Sequence, residues 1–226
     1  MLNKQGPGKI DWTNYTWNPI SGCLHNCSYC YIKAMDKRFN SNLMKPEFHK
    51  KRMNDLDKLR NPSKVFVGSS GDMFGNWITD GEISTVLIKT LNYPQHTFQF
   101  LTKNPGRYYE FSLDGMDNCW FGTTVDGTWR TENNLFSLIR CVPDKCIKFV
   151  SFEPLINKPL LNISHFKNLD WIIIGADSTR GATKPPKKWA DYLVTTARNF
   201  NIPVFVKDNY KYPEVIKEFP EIVKHE

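Results

Sequence analysis

Short apolar segments alternating with helix-forming stretches predict a parallel α/β fold, either doubly wound or a full or partial (β/α) barrel. Three observations carry that reading. The apolar segments are rich in Val, Ile, Phe, Trp and Thr. Most are apolar on both faces, as strands buried between a core and covering helices must be. Each runs at its C-terminal end into polar residues, and that is the end at which such folds bind ligands. No repeat, low-complexity run or linker divides the 226 residues, so a single domain over 1–226 is expected, with its core at about 10–210.

The elements follow in order. Strands are predicted at 13–17, 65–68, 98–102, 120–124, 148–152, 171–175 and 203–207. A helix at 31–39 follows a cysteine-rich loop. A second, at 46–60, has Pro46 in its first turn and is stopped by Asn61-Pro62. A third, at 80–92, opens on Asp80 and carries Ile83, Val86, Leu87 and Leu91 at helical spacing. Helices at 105–111, 130–140, 186–200 and 213–219 complete the pattern.

The composition, 40% hydrophobic and 23% charged, is that of a globular chain, and no apolar run approaches the length of a membrane span. The first residues, MLNKQGPGK, lack the apolar core of a secretory signal, so a cytoplasmic protein with reduced thiols is expected. The net charge is +7, and residues 31–64 hold ten Lys and Arg against four Asp and Glu, an excess of six. A basic stretch beside a cysteine cluster points to an anionic partner such as nucleic acid.

Polar residues at the strand ends nominate one pocket. They are the cysteines Cys23, Cys27 and Cys30 after the first strand, Ser69, Ser70 and Asp72 after the second, and Lys103 after the third. Thr123, Thr124 and Asp126 end the fourth, Glu153 the fifth, Asp177 and Ser178 the sixth, and Lys207, Asp208 and Asn209 the last. Loop polarity alone accounts for Asp126 and Asn209. It accounts less well for Glu153 between Phe152 and Pro154, or for Lys207 directly after an apolar run. Cys119, Cys141 and Cys146 fall at the opposite end, where packing explains them.

The spacing C-x3-C-x2-C supplies three thiols, one short of a four-thiolate site. A zinc ion could complete its shell with His25, giving a non-catalytic nucleic-acid-binding module. A [4Fe–4S] cluster on three thiolates keeps one iron open for an outside ligand.

CLHNCSYC, with an aromatic before the last cysteine, resembles the signature of the radical S-adenosylmethionine (SAM) superfamily. Together with VFVGSSGDMF, PQHTFQFLTKNP, WFGTTVD, FVSFEPL, DWIIIGADS and PVFVKD, it resembles a phage-associated three-cysteine-motif family within or near that superfamily. The resemblance implies a partial (β/α)6-type parallel barrel with the cluster loop after the first strand. It implies a [4Fe–4S] cluster on Cys23, Cys27 and Cys30 whose open iron chelates SAM. One electron from an external donor then yields methionine and a 5'-deoxyadenosyl radical. By the same resemblance Tyr29 lies near the adenine, and Ser69, Ser70 and Asp72 occupy the place of the segment that binds the SAM amino group, although GSSGD departs from Gly-Gly-Glu. Thr123 and Thr124 sit where ribose or carboxylate contacts arise. Glu153 would bind SAM or substrate, and Lys103, Asp177 and Lys207 would face the substrate. The favoured substrate is a nucleic acid or nucleotide. A radical needs a closed site, so a partner protein or the nucleic acid itself would complete the pocket. Tyr108 and Tyr109 are candidate hydrogen donors, with packing the simpler role.

Overall fold

A computed structural model describes residues 1–6, 8–179 and 181–221. The elements are β1 (Leu2–Lys4), β2 (Tyr15–Trp17), β3 (Ile20–Ser21), α1 (Tyr31–Phe39), β4 (Glu47–Phe48), β5 (Lys64–Val67), α2 (Asp80–Leu91), β6 (Thr97–Thr102), β7 (Cys119–Thr124), α3 (Asn134–Cys141), β8 (Ile147–Phe152), β9 (Trp171–Ile174), α4 (Lys187–Asn199) and β10 (Val204–Val206). Strand order chooses between the expected architectures. The strands β2, β5, β6, β7, β8, β9 and β10 lie side by side in chain order, all parallel. A doubly wound sheet reverses its order at a switch point. No reversal occurs here, so the chain winds one way round, as a partial (β/α) barrel does. β1 adds an antiparallel edge beside β2. The described residues contain no helix long and apolar enough to cross a membrane.

Strand alternation sorts the side chains. Phe98, Phe100, Phe121, Val150, Ile172, Ile174 and Val204 pack outward against the helices. Phe66, Trp120, Phe149, Trp171, Ile173 and Phe205 pack inward with Trp12. The inward rings meet tilted or edge-on, at centroid distances from 4.7 Å for Trp12–Phe66 to 6.4 Å for Trp12–Phe149. They form a floor at the N-terminal half of the strands. Burying such a ring contributes roughly 1.5–3 kcal/mol.

Several predicted elements differ. Residues 46–60 do not form an α-helix. Glu47 and Phe48 pair with Ser21 and Ile20, and a 3-10 helix follows at Lys50–Lys58. The buried Met53, Leu56 and Leu59 recur every three residues, the 3-10 period, and this spacing outweighs the α-helical pattern. Residues 105–111 are likewise a 3-10 helix, Pro105–Glu110. The predicted helix 130–140 divides into a 3-10 turn, Trp129–Thr131, and α3. The cap of α2 is Thr79, not Asp80: its side chain accepts from Glu82 N while the Glu82 carboxylate accepts from Thr79 N. Residues 213–219 form no helix. Val206 N donates to Ile216 O (2.9 Å) and Glu218 N to Val204 O (3.0 Å), so this segment covers the β10 edge.

Candidate active site

The cysteines leave the barrel on a tethered excursion. β3 and β4 pair at its neck, His49 N donates to Pro19 O (2.7 Å), and Ser21 Oγ bonds to His49 Nε2 (2.7 Å). Between them Gly22 has a φ of +82°, and a Cβ there would lie 2.1 Å from Lys45 O. Only glycine lets the loop turn under the 42–45 segment, where Cys23 N donates to Met44 O (3.0 Å). Gly22 also bridges Gly71, tying the cysteine loop to the GSSGD turn.

Cys23, Cys27 and Cys30 are free thiols of intermediate exposure. Cys30 is also the N-cap of α1, its carbonyl accepting from Ala34 N (3.2 Å). Burial pushes the Cys23 thiol up to about 12. His25 is committed elsewhere: its Nε2 lies 2.7 Å from Asp72 Oδ2, and its ring stands edge-on to Trp77 at 4.8 Å. Among the described residues no three His, Cys, Asp or Glu side chains close around one ion. With His25 bonded to Asp72, three thiols on one loop match the donor number of a cluster that keeps one iron open, one short of a tetrahedral zinc site.

Beside this loop opens a cavity of about 450 Å³, lined by His25, Cys27, Tyr29, Lys103, Asp126, Trp129, Arg130 and Asn157 among others. Its wall is organised by Asp126, which sequence reasoning had credited to loop polarity. Tyr29 Oη donates to Asp126 Oδ2 at 2.5 Å across 97 positions of sequence. Thr128 and Thr131 hydroxyls donate to the other oxygen at 2.6 and 2.7 Å. Burial would raise the Asp126 pKa, but these bonds hold it below the usual carboxylate range. Burial and the Asp126 carboxylate push the Tyr29 hydroxyl far upward, so it stays a donor. Lys103 Nζ lies 5.5 Å from the Tyr29 ring centroid. No sequence signal tied Asp126 to Tyr29, because the bond exists only once the excursion folds back over the barrel.

The other candidates divide. Asp72 is buried and accepts from His25, Thr102 Oγ1 (2.7 Å), Lys103 N (2.9 Å) and Phe74 N (3.0 Å). Burial works against its charge, yet these donors hold its pKa below the ordinary value. Its oxygens thus link the cysteine loop to the end of β6. Ser69 Oγ and Ser70 N both donate to Asn18 Oδ1 (3.1 Å each). Thr123 and Thr124 face opposite ways, as neighbours in a strand must. Thr123 Oγ1 donates to Thr102 O (2.8 Å) on the helix side, and both residues are buried.

Glu153 and Lys207 meet as an ion pair. They directly follow β8 and β10, so the pair spans the exit of β9, where Gly175 lies. A Cβ on Gly175 would come within 2.8 Å of Glu153 Cγ and Cδ, so the Glu153 side chain would have to shift to admit one. Asp177 is not drawn into this group; its Oδ1 accepts from Thr179 N (2.8 Å) in a local turn. Tyr108 is buried with its hydroxyl on Gly122 O (2.9 Å), and Tyr109 is exposed.

The +6 stretch is not one surface. Lys64 lies at the N-terminal start of β5 with Nζ over the Phe219 ring. Arg52 donates to Asn18 O, and Lys58 pairs with Asp55. Lys33, Lys37, Arg38 and Lys45 stay beside the cysteine loop.

A family model described as "Protein of unknown function (DUF5131)" matches residues 7–220. No curated protein matches the sequence. Among solved structures, spore photoproduct lyase complexed with dinucleoside spore photoproduct is similar at a TM-score of 0.57 and 9% identity, over 91% of this chain and 78% of that one. A cysteine-to-serine mutant of the lyase gives 0.57 and 10% over the same shares. A double mutant with bound AdoMet and dinucleoside spore photoproduct gives 0.50 and 8%, over 88% and 64%. At these identities the likeness is one of fold.

Proposed function

The chain belongs to the DUF5131 family, and we infer that it is a radical SAM enzyme holding a [4Fe–4S] cluster on Cys23, Cys27 and Cys30. One observation carries the reading: a C-x3-C-x2-C loop leaves the first parallel strand of a sequentially ordered barrel and opens on a cavity of about 450 Å³. The likeness of fold to a lyase mutant with bound AdoMet supports it. The bound cluster would supply one electron to the SAM sulfonium.

The residues here have definable tasks. Tyr29, held by Asp126, presents a fixed ring face to a ligand in the cavity. Gly22 sets the loop in place, and Asp72 locks His25 against the barrel. Lys103 and Arg130 bring positive charge to the cavity wall. Trp129, 80% exposed, adds a flat face of the kind on which bases stack. These features, with a dinucleoside ligand on the same fold in the lyase, favour a nucleic acid or nucleotide substrate. Glu153 and Lys207 would meet it over Gly175.

Anaerobic reconstitution with iron and sulfide tests the reading. The expected result is about four irons per chain, with methionine and 5'-deoxyadenosine released on adding SAM and dithionite. A colourless protein carrying one zinc overturns it.

A further inference from the structure

The helix α1 is turned inside out. None of its residues is buried. Its partly covered positions are Ile32, Lys33 and Asp36, while Ala34, Met35, Lys37, Arg38 and Phe39 face solvent; Tyr31 is half exposed, with its hydroxyl donating back to Ser69 O (2.8 Å). Tyr31, Met35 and Phe39 are 55%, 41% and 60% exposed, and Leu24 and Leu43 add exposed apolar surface on the flanking loops. An amphipathic helix normally turns its apolar stripe to the core, and a contiguous exposed stripe marks an interaction site.

Charge says what covers it. Lys33, Lys37, Arg38 and Lys45 surround the stripe, and among the described residues none of them pairs with a carboxylate. The one acid on the helix, Asp36, accepts from Leu43 N. An apolar centre with a positive rim fits an acidic protein. A second copy would set this rim against itself, and like charges across an interface disfavour that arrangement. Nucleic acid would use the cations but leave Met35, Leu24 and Leu43 unpaired with anything apolar.

Position says which acidic protein. The helix starts from Cys30, and Phe39 lies nine residues on, about 14 Å along the axis. We propose that the exposed face of α1, centred on Met35 and Phe39, docks a small acidic one-electron carrier that reduces the cluster. The proposal rests on the radical SAM reading. One electron leaves the carrier's reduced cofactor and enters the cluster, with no bond formed or broken. A single helix and its flanking loops suit the small, transient interfaces typical of electron transfer.

The test uses the reconstituted chain, with a flavodoxin and a [2Fe–2S] ferredoxin as probes and calorimetry as readout. At least one is expected to bind, more weakly as salt rises. Met35→Glu with Arg38→Glu is expected to weaken binding tenfold or more and to slow carrier-driven SAM cleavage. Dithionite-driven cleavage by that variant should be unchanged, since dithionite needs no docking face. Failure of both probes to bind, or undiminished binding to the variant, overturns the proposal. So does a variant that keeps carrier binding but loses affinity for a single-stranded DNA oligonucleotide. Absence of dithionite-driven cleavage in the parent protein would instead sink the radical SAM reading, and the binding measurement would still stand on its own.

Discussion

The floor and the mouth of the barrel are made by the same strands, from successive inward-facing positions, and they obey opposite rules. At the floor, Trp12, Phe66, Trp120, Phe149, Trp171 and Phe205 fill the space with rings. At the mouth, Glu153 and Lys207 pair over Gly175, and Tyr29 reaches Asp126. A few residues along one strand separate the two regimes: Phe149 lies on the floor, Ser151 is next inward, and Glu153 ends at the mouth. The floor gains stability from apolar burial and closed packing. The mouth forgoes that gain and holds polar groups in set positions on a rigid base. Changes at the floor should therefore cost stability and spare the chemistry, and changes at the mouth should do the reverse.

The largest effect is expected from Cys27→Ala. On the radical SAM reading, iron per chain should fall from about four to near none and SAM cleavage should stop, while the unfolding free energy of the metal-free protein, from urea denaturation, changes by no more than about 0.5 kcal/mol. A large stability loss in the metal-free variant would break the contrast. At the floor, Trp171→Ala should lose about 3–5 kcal/mol by urea denaturation, and the fraction still folded should cleave SAM near the parent rate. Complete loss of cleavage in folded protein would show that the two ends are not separable.

Gly175→Ala probes the boundary. Its Cβ must shift the Glu153 side chain and so disturb the pair with Lys207; a cost of roughly 1–3 kcal/mol is expected, and, on the radical SAM reading, slower SAM cleavage. An unchanged cleavage rate would remove the ion pair from the functional mouth. The smallest effect should come from Thr79→Ala, which breaks the capping box of α2 away from both regions. About 1 kcal/mol is expected, with iron content and cleavage unaltered.

Much of this division was legible before any coordinates. The strands following 65, 98, 120, 148, 171 and 203 appear near their expected places because each is a run of residues that no polar loop could hold. The cysteine spacing marked the excursion, and of the polar strand ends Glu153 and Lys207 meet as a pair. What could not be read were contacts between distant segments. Asp126 looked like an ordinary loop acid until Tyr29 was folded onto it. Asp72 looked available to a ligand, and four internal donors occupy it.

The sequence by itself determined the parallel strands, the three-thiol loop and the end of the barrel that is polar, because periodicity, composition and spacing are local and act before packing. Tertiary structure alone decided that the 31–64 charges separate onto different faces, that 46–60 winds as a 3-10 helix on Met53, Leu56 and Leu59, and that α1 turns its apolar stripe to solvent. Each of these depends on which surface lies opposite, and a linear pattern carries no record of its neighbour across the fold.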